Sequence, residues 1–198
     1  MTILDEIFAH KRAEVAQRRE TAPLAEIQAA ASAAPPALDF LSALHRGRRR
    51  IAGNREYIPA LIAEVKHASP SRGLLIEDFD PVRLAGIYRS NGAAAVSVLT
   101  DQRFFQGSDQ YLADIRGEVE LPILRKDFML DPYQVLEARA MGADCILIIL
   151  AMVDDTLAAE LCATAREQGL SILPEVHAAT RMHTRRRPVR LITLLQRL

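Results

Sequence analysis

Short apolar segments alternate with capped amphipathic segments along most of this sequence, and this alternation restricts the fold more than any other feature. Each unit spans roughly 30 residues, the length of a βαβ element. The strand segments are continuously apolar, as expected in a parallel sheet that is covered on both faces. The sequence therefore predicts an α/β fold whose five strands lie at residues 61–65, 94–99, 121–124, 145–150 and 171–176.

Helix start and stop signals separate these strands. An aspartate followed by proline begins two of the predicted helices, because the carboxylate caps the first turn and proline fits the first helical position. Glycine ends three of them, since it adopts the left-handed conformation without steric cost. The predicted starts are Asp80, Ser108, Asp131 and Asp154 or Asp155, the stops are Gly92, Gly142 and Gly169, and Leu84, Ile87 and Tyr88 are predicted to share one face of the first of these helices.

Periodicity alone leaves two α/β architectures open, a doubly wound open sheet and the beginning of a (β/α)8 barrel. Charged residues stand at the carboxyl ends of the first, third and fifth strands: Glu64 and Lys66, Lys126, and Glu175. In a barrel these ends meet at one mouth, where active sites of the fold are built. The polar residues favour an incomplete barrel of about five βα units. A cross-strand ion pair is the structural alternative for Glu64 and Lys66.

Residues 1–58 are predicted to form an N-terminal helical extension, residues 59–177 the partial barrel and residues 178–198 an atypical arginine-rich tail. The extension begins with an amphipathic helix from Thr2 to about Arg19. A stretch rich in alanine and proline follows at residues 22–38, and Asp39 is expected to cap a short helix that carries Phe40. The basic run from His45 to Arg50 is interpreted as a solvated loop, with phosphate contact as the alternative.

Charge and composition exclude several classes of protein. All 25 acidic residues lie in the first 180 residues, which carry a net charge of −6, a poor basis for binding nucleic acid. The arginines at 185, 186, 187 and 190 are the only support for nucleic-acid binding, and a disordered tail explains them more simply. No apolar run approaches the ~20 residues of a membrane span, and the N-terminus lacks a leader sequence, so we expect a cytoplasmic protein. Cys145 and Cys162 have no metal or redox spacing and are expected in the core.

An ordered series of segments resembles one enzyme family. These segments are IAEVKHASPSRG at residues 62–73, DFDP at 78–81, SVLTDQRFFQGS at 97–108, the long run from Leu121 to Ile149, and LPEVH at 173–177. Together they are similar to indole-3-glycerol phosphate synthase over roughly residues 1–180. The resemblance implies a (β/α)8 barrel in tryptophan biosynthesis. It also implies ring closure, decarboxylation and dehydration of 1-(2-carboxyphenylamino)-1-deoxyribulose 5-phosphate, without a metal or an organic cofactor.

The resemblance also implies roles for particular residues. The reaction needs an acid at the sugar carbonyl oxygen and an acid–base pair that expels the resulting hydroxyl as water. By resemblance, Lys126 is the general acid, Glu175 is the base in dehydration, Lys66 and Glu64 position them, Ser69 binds substrate, and Phe105 and Phe128 contact the anthranilate ring. Turn and loop-packing roles are the alternatives for the last three. The loop that contains Phe105 is expected to cover the site, with Gly107 permitting unusual torsions.

The sequence departs from the family pattern after His177. The final segment, RMHTRRRPVRLITLLQRL, contains no acid, no glycine and no strand–loop–helix pattern. A frameshift or a truncated gene would produce such a segment, and an inactive fragment is therefore the alternative to an active synthase. The family binds the substrate phosphate after strands seven and eight. An open sheet of five strands predicts self-association through its edges, and Pro174 suits an edge strand.

Overall fold

The computed structural model describes residues 3–50 and 57–176, and only the backbone of residues 3, 4, 49, 50 and 57. The arginine-rich segment that the sequence sets apart, residues 178–198, lies outside the described residues. The described residues comprise the N-terminal extension, four complete βα units and the strand of a fifth.

Three helices precede the sheet: α1 (Ile3–Thr21), α2 (Leu24–Ala33) and α3 (Phe40–Gly47). The predicted cap of α3 is present, since the Asp39 side chain accepts the Ser42 N–H at 2.9 Å. The sequence pattern did not predict α2. This helix forms because its alanines have the highest helix propensity and its flanking prolines lie outside it.

The basic run at residues 45–50 is not the loop that the sequence predicted. Its first three residues form the last turn of α3, where cationic side chains interact favourably with the negative end of the helix dipole. Its last two form β1 (Arg49–Arg50), which pairs antiparallel with β2 (Tyr57–Ile58). This short ribbon leads the chain into the main sheet.

Five parallel strands form the main sheet, and a small antiparallel ribbon follows the first of them. In chain order the elements are β3 (Ile62–Val65), β4 (Ala68–Ser69), β5 (Gly73–Leu74), α4 (Pro81–Ser90), β6 (Ala95–Leu99), α5 (Gln102–Phe105), α6 (Asp109–Glu118), β7 (Ile123–Lys126), α7 (Pro132–Ala140), β8 (Cys145–Ile149), α8 (Asp155–Glu167) and β9 (Ser171–Glu175). The five predicted strands are confirmed. The third is shifted by two residues, so that Lys126 ends the strand and does not follow it.

The predicted helix caps are confirmed. The side chains of Asp80, Ser108 and Asp154 each accept a backbone N–H of the first helical turn, and Asp131 forms a capping box with Gln134. The predicted face of α4 is wrong in one residue. The buried side of α4 is centred on Ala85, two positions from Ile87, and two positions rotate a helical side chain by about 200°. Ile87 therefore points to solvent and is 52% exposed.

Strand order distinguishes the two architectures that the sequence left open. The main sheet runs β3-β6-β7-β8-β9, so spatial order follows chain order without a reversal. All four pairings are parallel, and each crossover contains at least one helix. A doubly wound sheet reverses its strand order at a switch point. The described part of the chain therefore has the sequential winding of a (β/α)8 barrel.

The N-terminal extension packs against the helices outside the sheet. Helix α2 lies on α7, and the Tyr133 hydroxyl of α7 donates to the Ala22 carbonyl at 2.8 Å, just after α1. Arg18 of α1 forms an ion pair with Asp109 of α6 at 2.7 Å. These contacts fix α1 across the helices that follow β6 and β7, close to the carboxyl ends of those strands.

Candidate active site

The register of the sheet places two of the predicted site residues on one face and at one end. Glu64 pairs with Ser97, and Lys126 pairs with Leu99. Paired residues in neighbouring strands point to the same side, and positions two apart on a strand share a face. Glu64 and Lys126 therefore face the same side of the sheet, across the intervening strand β6. Such alternation of strands within one layer is typical of a barrel interior.

Glu64 joins the two lysines into one cluster. Its carboxylate accepts from Lys66 Nζ at 2.5 Å and also forms a short ion pair with Lys126 Nζ. The side chains of Glu64, Lys66 and Lys126 are 27%, 29% and 15% exposed, so a ligand in the mouth can reach all three. Burial alone would raise the pKa of Glu64, but the two ammonium groups outweigh it and hold that pKa below its usual value. The cluster thus contains a firmly ionised carboxylate between two cations.

Glu175 lies at the same end of the sheet and on the same face. It is the last residue of β9 and pairs with Ile149 of β8. The pairing of β7 with β8 puts Ile149 on the same face as Lys126, so Glu175 shares that face. Its side chain is partly exposed, while its backbone carbonyl accepts the Leu150 N–H at 3.0 Å. Glu175 therefore stands two strands from Lys126, on the opposite side from Glu64.

Two phenylalanines lie on the segments that follow β6 and β7: Phe105 is the last residue of α5, and Phe128 lies two residues after the end of β7. The rings of Phe105 and Phe128 have their centroids 6.2 Å apart and are tilted by 37°. Both side chains are partly exposed. The two rings form one aromatic wall, because this separation lies within the range of direct ring contact.

The torsional role predicted for Gly107 is wrong. The left-handed residue of this loop is Gln106, with φ 50°, whereas Gly107 has no positive φ. Gly107 is needed for a different reason, since a Cβ there would lie 2.8 Å from the Leu99 carbonyl carbon. The loop after β6 thus returns directly against its own strand, which brings Phe105 back over the sheet end.

Ser69 occupies a tight turn close to the same end. It belongs to β4, which pairs with β5 immediately after β3. Its hydroxyl and its carbonyl oxygen each lie 3.3 Å from the Arg72 N–H, which donates to both. This is the turn role that the sequence held as the alternative for Ser69, and the partly exposed hydroxyl can still donate to a ligand.

A buried ionic network beneath the mouth was missed by the sequence analysis. It contains Lys11 of α1, Asp101 after β6, and Arg125 and Asp127 on either side of Lys126. The two aspartates follow the carboxyl ends of strands, which is the pattern that singled out Lys126, and that pattern would have found them. Nothing in the sequence distinguishes Lys11 or Arg125 from cations in solvent.

An aromatic stack that begins at the residue after Lys66 was also missed. The rings of His67 and Phe79 are stacked, with centroids 4.6 Å apart and planes inclined by 14°, and Phe79 lies 5.2 Å from Tyr111. His67 directly follows Lys66, so this stack supports the chain where it leaves β3. The three residues lie far apart in sequence and share no pattern that would predict the contact.

Two further classes of site are not found in the part of the chain that the structure describes. Residues 3–50 and 57–176 contain no group of three or more histidine, cysteine or acidic side chains arranged to hold a metal ion. Across the same residues, no helix has the length and apolar character of a membrane span. Cys145 and Cys162 are both free thiols, the first buried and the second partly exposed.

Sequentially wound parallel strands, with charged side chains gathered at their carboxyl ends, define the class of (β/α)8 barrels, of which five strands and the helices that connect them are described here. A comparison with family models matches residues 4–187 to indole-3-glycerol phosphate synthase. The chain belongs to the indole-3-glycerol phosphate synthase family. The match extends into the arginine-rich segment that the sequence analysis set apart.

Similar proteins bear the same name. An indole-3-glycerol phosphate synthase from Roseiflexus sp. (strain RS-1) is 54% identical over 182 residues, which cover 89% of this chain and 64% of that protein. One from Roseiflexus castenholzii is 51% identical, covering 90% of this chain and 65% of that protein. One from Acidithiobacillus ferrooxidans is 50% identical, with coverages of 91% and 66%. The chain thus spans about two thirds of the length of these relatives.

Proposed function

We propose that this chain carries the catalytic residues of an indole-3-glycerol phosphate synthase, a carbon–carbon lyase. The reaction converts 1-(2-carboxyphenylamino)-1-deoxyribulose 5-phosphate to indole-3-glycerol phosphate in tryptophan biosynthesis. The observation that carries the proposal is the bridging of Lys66 and Lys126 by Glu64 at the carboxyl end of the sheet. Grouping charged residues at a barrel mouth costs free energy, so such a group indicates a functional requirement.

Lys126 is proposed as the general acid. An aromatic carbon of the substrate attacks the sugar carbonyl carbon, and the carbonyl oxygen takes a proton from the ammonium group to become a hydroxyl. Carbon dioxide then leaves from the ring carbon that formed the new bond to the sugar, and the electrons of the broken carbon–carboxylate bond restore the aromatic system. Glu64 holds the Lys126 ammonium in place through their ion pair, and Lys66 shares the same carboxylate.

Glu175 is proposed as the base of the dehydration step. The hydroxyl leaves as water after a second protonation, while a base removes a proton from the new ring. The proposal is supported by the position of Glu175 on β9, at the same end and on the same face of the sheet as the lysine cluster. No cofactor takes part in this scheme.

Phe105, Phe128 and Ser69 are proposed to bind the substrate. The wall formed by the two rings suits the anthranilate ring, where aromatic contact contributes ~1 kcal/mol beyond the burial of area. The Ser69 hydroxyl is proposed as a hydrogen-bond donor to the substrate. A cytoplasmic location and the absence of nucleic-acid and membrane partners complete the proposal, and a DNA mobility shift that weakens with salt would contradict it.

The test is the appearance of indole fluorescence when the purified chain meets the synthetic substrate. Turnover supports an active synthase, and its absence from the wild-type chain supports the second hypothesis, an inactive chain. In an active chain, Lys126→Met should lower kcat by about 10²–10⁴-fold, the usual contribution of a general acid. The matched control is Arg89→Met, which removes an exposed cation at the end of α4. Unchanged turnover in Lys126→Met would remove the proposed role of that lysine.

Self-association is proposed through the two edge strands of the main sheet. Within the described residues, β3 and β9 each have a single strand neighbour in that sheet. Unpaired strand edges offer backbone donors and acceptors to a second copy. Sedimentation velocity over a range of concentrations should show a dimer or a larger species, and a monomer throughout would contradict the proposal.

A further inference from the structure

Lys11 is fully buried although it belongs to the first helix of the chain. Its ammonium group lies 2.9 Å from Glu14 Oε2, 2.9 Å from Asp101 Oδ2 and 3.0 Å from Asp127 Oδ1. A lysine on an amphipathic helix normally reaches water, because burying an ammonium group is costly unless it is paired. Lys11 instead reaches into the sheet end, towards the residues that follow β6 and β7.

Two of these three carboxylates each hold the backbone of a site loop. Asp101 accepts the Phe104 N–H at 2.8 Å and so caps α5, which ends at Phe105. Asp127 accepts the Phe128 N–H at 2.8 Å. The ammonium of Lys11 therefore links the start of the loop that carries Phe105 to the start of the loop that carries Phe128.

The three carboxylates around Lys11 differ in whether they have a second cation beside them. Asp127 has a second cation, because Arg125 lies 3.3 Å from its other oxygen, and Glu14 has one in Arg18 at 2.8 Å. For Asp101, Lys11 is the one cation within 4 Å among the described side chains. Burial alone would lower the pKa of Lys11, but Asp127, Asp101 and Glu14 outweigh it and raise that pKa. Lys11 is therefore protonated at neutral pH.

We propose that Lys11 is a positioning residue for the aromatic wall of the active site. By linking Asp101 to Asp127, it fixes the loops after β6 and β7 relative to each other and so sets the spacing of Phe105 and Phe128. The inference rests on the proposed function, because it assigns the wall to the anthranilate ring of the substrate. The first helix is then part of the substrate site, although it contributes no residue to the reaction.

The test compares Lys11→Met with two other single variants. Lys11→Met keeps the apolar stem and removes the charge, Lys11→Arg restores a cation, and Arg12→Met removes the neighbouring exposed cation as a matched control. A double variant, Lys11→Met with Asp101→Asn, removes one cation and one anion together. It leaves Asp127 and Glu14 paired with their arginines, and it keeps the inference testable if the single variant does not fold.

The first measurement is amide hydrogen exchange in the wild type and each variant. The Phe104 and Phe128 amides should exchange about tenfold faster in Lys11→Met or in the double variant, while the amides of β8 stay protected. Lys11→Arg should restore part of the protection, and Arg12→Met should match the wild type. The inference would be overturned by uniform acceleration of exchange throughout the sheet or by unchanged exchange at the two loop amides. It would also be overturned if neither Lys11→Met nor the double variant folded, since Lys11 would then only support the fold.

The second measurement is binding of anthranilate, followed by its own fluorescence. The Kd should rise roughly five- to tenfold in Lys11→Met, which corresponds to the loss of one aromatic contact, and should stay unchanged in Arg12→Met. Phe128→Ala provides the reference for loss of the wall. A wild-type chain that binds no anthranilate would contradict the proposed function, whereas an unchanged Kd in Lys11→Met would contradict the inference alone.

Discussion

Replacing Glu64 with glutamine tests whether this carboxylate is the ionised centre of the site. The substitution keeps the shape of the side chain and removes the charge between Lys66 and Lys126. A hydrogen bond to a charged group contributes about 1.5–3 kcal/mol, and glutamine can still accept one of the two. The three side chains are 15–29% exposed, so water recovers part of the loss. We expect Glu64→Gln to lower the free energy of unfolding by about 2 kcal/mol at pH 7.

This loss should depend on pH in a definite direction. The folded pKa of Glu64 is lowered, because its two cations outweigh the opposing effect of burial. A carboxylate of this kind contributes stability that is complete above its unfolded pKa of about 4.3 and is lost as the pH falls through the folded pKa. Glutamine does not titrate. The difference between wild type and Glu64→Gln should therefore be largest near pH 7 and should narrow towards pH 3.

Urea unfolding followed by circular dichroism measures both effects. With a slope of ~2 kcal/mol per molar urea, a loss of about 2 kcal/mol moves the midpoint by about 1 M. Glu77→Gln is the matched control, since Glu77 is exposed on the loop between β5 and α4 and should change stability by less than ~0.5 kcal/mol. Equal stability of Glu64→Gln and wild type at pH 7, or a difference that is the same at pH 7 and pH 3, would refute the reasoning.

Three other predictions concern stability and reactivity. Tyr133→Phe should lower the free energy of unfolding by about 1 kcal/mol in urea titrations, because it leaves the partly buried Ala22 carbonyl without this donor. Gly107→Ala should cost more than ~2 kcal/mol through backbone clash, whereas Gly86→Ala in α4, where a Cβ meets nothing within 4 Å, should stabilise by about 0.5–1 kcal/mol. A thiol reagent at pH 8 should modify Cys162 before Cys145, because burial raises the pKa of both thiols and Cys145 is fully buried; equal rates would contradict this.

Most of the local structure could be predicted because its causes are local. Aspartates 80 and 131 cap helices through hydrogen bonds to residues two or three positions away, so the signal and the structure occupy the same short window. The same holds for the apolar strands and for the glycines that end helices. The exception was α2, where prolines on either side concealed an alanine-rich helix.

The candidate site could be predicted in part. Charged residues at the ends of strands identified Glu64, Lys66, Lys126 and Glu175, because parallel strands present their carboxyl ends on one edge. The sequence does not indicate which of these side chains are in contact. The register of β3, β6 and β7 places Glu64 against Lys126 across the intervening strand, and this register depends on the packing of the whole sheet.

The sequence by itself determined the order of the βα units, the caps of their helices and the polar residues at the strand ends. Only the tertiary structure decided that Lys11 and Arg125 are buried and paired, since sequence periodicity reports which face of a helix or strand a residue occupies but not what lies opposite. Lys11 meets Asp101 and Asp127, which follow the ends of β6 and β7 and lie up to 116 positions away, and Arg125 pairs with Asp109 of α6 as well as with Asp127. A buried ammonium group stays charged only where carboxylates pair with it, and these carboxylates come together only in the folded chain.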